Sequence, residues 1–204
     1  MITRRNPKEI VSALEAYHKG VYSPNTHMVQ ELSLLHAVKM PTAGGGEFPL
    51  NNANTKRLVG VSDFQGEQIP SDATGLLRAI VIRYGTFDWT GDPAKSPDAS
   101  PAVVNYLETR SNFPAWLLQS EVVLKSSSNE LLRIRIGELV PSASVDRTPY
   151  DWAKEFEKLI KVEGNQTLQV YLNTPEGASD PNATKDEYIQ VVIYGVKIAP
   201  RAKA

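Results

Sequence analysis

The stretch from Ala115 to Val140, AWLLQSEVVLKSSSNELLRIRIGELV, limits what this chain can fold into more than any other. In its first half Leu118, Ser120, Val122 and Leu124 fall on one side, with Gln119, Glu121 and Lys125 on the other. After the polar segment Ser126 to Asn129, Leu132, Ile134 and Ile136 alternate with Arg133 and Arg135. Successive side chains of a strand leave opposite faces of the pleat, so a period of two suits a half-buried strand. A helix would scatter Leu132, Ile134 and Ile136 around its circumference. The pattern predicts a β-hairpin on an antiparallel sheet with one wet face.

Further strands are predicted from Arg57 to Asp63, Leu76 to Phe87, Val103 to Thr109, Gln166 to Asn173 and Tyr188 to Ile198, with Glu31 to Val38 open between strand and helical turn. The β-branched run Ile80-Val81-Ile82 points to burial on both sides or to a central sheet position. Short strands separated by Pro- and Gly-bearing loops favour an antiparallel β-sandwich or single jelly roll over parallel βαβ units. Two helices are expected. Asn6, Pro7 and Glu9 form a start signal, with Ile10, Val11, Leu14 and Tyr17 as an apolar stripe, giving a helix over about 7–19. Thr148, Pro149 and Asp151 precede Trp152, Phe156, Leu159 and Ile160 at helical spacing, which predicts one helix in a crossover loop. Residues 1–55 then make an N-terminal arm, a helix followed by an extended segment containing Gly44-Gly45-Gly46, and residues 56–204 make the mainly β domain.

Zero cysteines in 204 residues remove disulfides, zinc–cysteine sites and thiol nucleophiles, and suit synthesis in a reducing cytoplasm. A net charge of −1 gives no global field for nucleic acid. No apolar run approaches the ~18–20 residues of a membrane helix, and no secretory signal is read at the N-terminus.

Residues in patterns that carry chemistry are few. His18, His27 and His36 all precede the predicted sheet, so no metal set is expected. Glu47-Phe48-Pro49 follows the glycines where a phosphate loop needs Lys and Ser/Thr. Asp88, Asp92, Asp98 and Glu108 are read as solvated loop acids, and Trp89 and Trp116 as caps of a core in preference to a sugar-stacking platform. No catalytic, cofactor-binding or metal residue is assigned, and the chain is not expected to be an enzyme. Arg4, Arg5 and Lys8 are the candidate nucleic-acid contacts, and Ile10, Leu14 and Tyr17 the candidate inter-subunit face of the arm.

Trp116-Leu117-Leu118 followed by SEVVLKSSSNELLRIRIGEL (120–139), then NQTLQVYLNTPEG (165–177) and EYIQVVIYGVKIAPR (187–201), resembles jelly-roll capsid proteins of small tailless icosahedral bacteriophages. The likeness runs over roughly residues 76–200 and lies in strand order and texture, so no functional residue is carried across. It implies a virion structural protein, a subunit that self-assembles into an icosahedral shell with copies of itself or other capsid proteins. It also implies location in the virion after synthesis in the host cytoplasm, and no catalysis. Arg4, Arg5 and Lys8 are sparse for a genome-lining arm, so only weak, non-specific contact with packaged nucleic acid is expected. The alternative is a carbohydrate- or ligand-binding β-sandwich module.

Overall fold

The computed structural model describes residues 27–40, 45–68, 74–88, 101–141, 153–163, 166–177 and 185–200. Among the described residues eight strands carry the fold: β1 His27–Lys39, β2 Gly46–Pro49, β3 Thr74–Asp88, β4 Glu121–Ser126, β5 Asn129–Arg135, β6 Lys154–Val162, β7 Gln169–Thr174 and β8 Lys185–Pro200. They form two four-stranded antiparallel sheets, β1-β8-β3-β6 and β2-β7-β4-β5, stacked as a β-sandwich. Alternation along the strands sets what enters the space between the sheets. Leu34, Ile80, Ile82, Ile189, Val191 and Ile193 come from the first sheet and meet Val122, Leu124, Val170 and Leu172 from the second. Burying each such side chain contributes roughly 1.5–3 kcal/mol before the entropy of ordering it.

The hairpin is present as the alternation predicts. Ser126 pairs with Asn129, which leaves Ser127 and Ser128 as a two-residue loop. Both have positive φ, 47° and 74°, the twist such a loop needs to join two right-twisted strands. Val122 and Leu124 are buried, Leu132 and Ile134 pack on the core, and Arg133 and Arg135 are exposed. β3 and β8 lie at the centre of their sheet. An extra residue, Arg78, shifts the β3 register, so that Leu77 faces Gly195 and Ala79 faces Tyr194. A Cβ on Gly195 would lie 2.3 Å from the Leu76 carbonyl oxygen, so this bulge needs a glycine.

Several expectations are corrected. The crossover helix is a strand: Lys154–Val162 is β6, paired along the edge of β3. Phe156 and Val162 are buried and Ile160 packs on the core, a period of two that the 3–4 spacing of Trp152, Phe156, Leu159 and Ile160 concealed. Partner strands decide such ambiguous short runs. Residues 57–63 form a tight turn, with Leu58 bonded to Ser62 and Val59 fully exposed. Residues 103–109 make one isolated pair, Leu107 with Tyr84, which covers the edge of β3 beyond the reach of β6. Trp116-Leu117-Leu118 belongs to a single helical turn, α1 (Ala115–Gln119), and Ile136 opens another, α2 (Ile136–Leu139). The sheets also take in residues 27–39 and 46–49, which the sequence placed in the arm. The predicted arm helix over 7–19, with Ile10, Leu14 and Tyr17, lies outside the described residues, as do Arg4, Arg5 and Lys8.

Candidate functional site

Where β3 finishes and β8 begins, a cleft of about 570 Å³ opens between the first sheet and residues 105–114. Its floor is aromatic. Tyr84 points inward from β3 and packs on Phe113 with ring centroids 5.6 Å apart. Its rim is polar: Glu187 and Lys185 from β8, Thr86 from β3, and Asn105 and Asn112 from the segment between β3 and β4. The Tyr84 hydroxyl donates to the Glu187 carboxylate and holds that acid in place.

Gly85 lets the rim approach β3. A Cβ there would stand 2.5 Å from Val104 and 2.7 Å from the Asn105 carbonyl oxygen. The Tyr84 amide donates to Leu107 O at 2.9 Å, and Leu107 returns the bond at 2.7 Å, which fixes residues 101–114 against the strand. Behind this segment, on the outer face of the sheet, Arg83 donates to Glu108 and, at 3.0 Å, to Gln190. The Tyr106 hydroxyl donates to Pro101 O at 3.0 Å, and burial, with the nearby Tyr188 phenol, pushes its pKa up. Beside it Lys39 pairs with the buried Asp186 at 2.7 Å.

The residues singled out from sequence are dispersed. Asp88 ends β3, 3.7 Å from Lys185, while Glu108 is engaged by Arg83. Asp92, Asp98, Trp89 and His18 lie outside the described residues. Trp116 is partly buried against the core, as a cap is. His27 and His36 both stand on β1, which corrects the expectation of a sheet without histidine. His36 faces the sandwich interior. Its Nε2 lies 2.8 Å from Leu50 O, an acceptor only, so Nε2 carries the proton and donates. Nδ1, 3.0 Å from Ser62 Oγ, then accepts from that hydroxyl. The ring thereby ties β1 to the chain leaving β2, and burial pushes its pKa down despite the Leu50 bond. Among the described residues no three His, Cys, Asp or Glu side chains gather as a metal set.

Sequence reasoning missed the rim, because its amides, hydroxyls and charges are ordinary strand and loop residues until the topology places them together. Missed too were the outer edges of the sheets. β1 runs the length of the first sheet with thirteen uninterrupted pairs to β8, and on its outer side the backbone groups of Leu35 and Ala37 are engaged. There Ala37 N donates to Val61 O at 2.8 Å, Asp63 N to Leu35 O at 2.8 Å, and Leu35 N to the Asp63 carboxylate at 2.8 Å. No family model, no curated protein and no solved structure matches the chain.

Proposed function

We propose that the chain is a virion structural protein, a single jelly roll that self-assembles into an icosahedral shell. The observation that carries the reading is the strand order. The first strand lies beside the eighth, the second beside the seventh, and β3 and β4 fall in opposite sheets. An eight-stranded double Greek key rolls up in this order, and it is the arrangement implied by the resemblance to capsid proteins of small tailless bacteriophages. In this reading residues 1–26 act as the arm, with Ile10, Leu14 and Tyr17 as its contact face. Arg4, Arg5 and Lys8 touch packaged nucleic acid weakly, the protein acts in the virion after synthesis in the host cytoplasm, and it performs no catalysis. Negative-stain electron microscopy and light scattering across concentration and salt test it. Rings, capsomers or closed shells are the expected result, and a strict monomer under every condition refutes it.

The end cleft favours a second reading, a ligand-binding β-sandwich. Aromatic floors with polar rims are the usual make-up of small-ligand sites, and Glu187 held by Tyr84 offers a fixed acceptor for a carbohydrate hydroxyl. A glycan screen on the purified chain, repeated with Glu187→Gln, decides it: binding that the substitution abolishes supports this reading, and no hits dismiss it.

A further inference from the structure

The two sheets have four edge strands, and three are protected against pairing with another chain. β2 is four residues long and ends in Pro49. β5 carries Glu130, Arg133 and Arg135, and its register shifts opposite Leu124 and Lys125. β6 carries Lys154, Glu155, Glu157, Lys158 and Lys161, and four of its residues, 156–159, stand opposite the single residue Arg78. Short length, proline, charge and bulges are the devices by which sheet edges avoid one another. β1 is thirteen residues long, and over residues 27–34, HMVQELSL, it carries one carboxylate, Glu31, with no proline, no lysine, no arginine and no shift in register.

Even-numbered residues of β1 turn their backbone groups toward β8, as Met40 N, donating to Glu187 O at 2.8 Å, shows just past the strand. The odd-numbered Leu35 and Ala37 turn theirs outward. By the alternation of an antiparallel ladder, Glu31 and Ser33 also present N–H and C=O outward. Both residues are exposed, and among the described residues no backbone group pairs with them on that side. Asp63 closes the edge at Leu35, so Glu31 and Ser33 are the last outward-facing residues before it.

We propose that this edge of β1 pairs antiparallel with β1 of a second copy, about a two-fold axis at Val29, joining two four-stranded sheets into one. The inference rests on the shell-subunit reading and names the contact through which two subunits associate. Odd residues meet odd residues whichever residue lies on the axis; on Leu32, Val29 would meet the blocked Leu35, and on Gln30, Glu31 would face Val29 with no charge partner. Centred on Ser33, the partner would need Val29 opposite Ala37, where Val61 and Asp63 already sit. Centred on Glu31, two carboxylates would face each other and His27 would meet the blocked Leu35. Centred on Val29, His27 stands opposite Glu31 in both copies, and like charges no longer meet. Identical patches meeting about a two-fold are the commonest route to a symmetric contact.

The chain has no cysteine, so single introduced thiols report the register directly. Under oxidation, full-length Val29→Cys should form a disulfide-linked dimer and Glu31→Cys should not, since only the former brings identical residues within bridging distance. Glu31→Pro removes an outward N–H that has no partner among the described residues, so it should leave the melting temperature unchanged. It should also weaken association roughly tenfold or more, the loss of one or two hydrogen bonds at each contact. Cross-linking of Glu31→Cys in place of Val29→Cys overturns the register. A fall in melting temperature for Glu31→Pro, with no cross-link at Val29→Cys, shows the edge filled by the protein's own chain and overturns the proposal. Shells formed equally by the parent chain and Glu31→Pro, without the Val29→Cys cross-link, refute the edge and leave the shell reading standing. A cross-linked dimer that never grows further supports the edge and refutes the shell.

Discussion

The two sheets of the sandwich share one core but differ on their outer faces. On β2-β7-β4-β5 the outer face is wet and ionic. Lys125 pairs with Glu47 and stands 4.5 Å over the Tyr171 ring, while Arg133 reaches Glu121 at 2.8 Å and Glu130 at 2.7 Å. These contacts pull the Glu121 and Glu130 pKa values down, chiefly through the Arg133 hydrogen bonds. Among the described residues of that face Val123 is the apolar one fully buried, between cross-strand neighbours Tyr171 and Arg133. On β1-β8-β3-β6 the outer face is itself a small core. Val81 and Val192 are each 3% exposed and cluster with Ala79 and Ala153 against Leu35 and Tyr194. Even its polar members, Gln190 and Arg83, are bonded to one another. Strands buried on both faces read as continuous apolar runs, and strands with one wet face read as alternation. The first sheet is therefore packed on both faces, and the second chiefly on one.

This difference can be broken at points of unequal cost. Gly195→Ala, within the doubly buried sheet, drives a Cβ into the Leu76 carbonyl and is expected to cost about 3 kcal/mol or more, read from urea denaturation midpoints. Asn51→Ala comes next. The fully buried Asn51 amide donates to Leu168 O at 2.9 Å and accepts from Val170 N at 2.7 Å, so its side chain extends β2 along β7. Losing it strands two buried backbone groups, an expected loss of about 2–3 kcal/mol by the same measurement. His36→Gln sharpens the comparison through pH. The folded pKa of His36 lies below the unfolded value of 6.5, so the unfolded chain binds more protons as the pH drops past it. The stabilisation is complete above 6.5 and declines as pH falls toward the folded value; the substitution should flatten this decline in denaturation curves taken across the window. Arg133→Ala, on the wet face, is expected to cost under about 1 kcal/mol, and less at high salt, because exposed ion pairs are weak and screened. A loss there equal to that of Gly195→Ala would abolish the distinction between the faces.

The hairpin at 121–135 and the buried run 80–82 were legible because each pattern has one structural reading. Lys154–Val162 was not. Phe156 and Ile160 are four apart, which fits a helix face and one side of a strand equally, and the cap signals before them tipped the reading to helix. Residues 103–109 have strand-like composition but find only Tyr84 to pair with. The cleft residues Glu187 and Asn112 are 75 positions apart, and nothing in either neighbourhood announces the other.

By itself, then, the sequence determined the class of fold: antiparallel strands with alternating faces, a serine-turned hairpin, and no thiol chemistry. These follow from local side-chain periodicity and composition, which act within a few residues. Only the tertiary structure decided that β1 lies against β8, that an ambiguous segment becomes an edge strand, and that His36 joins the two sheets from within. Each of these depends on which distant strand offers hydrogen-bond partners and a face to cover, and that choice is made by the packed molecule as a whole.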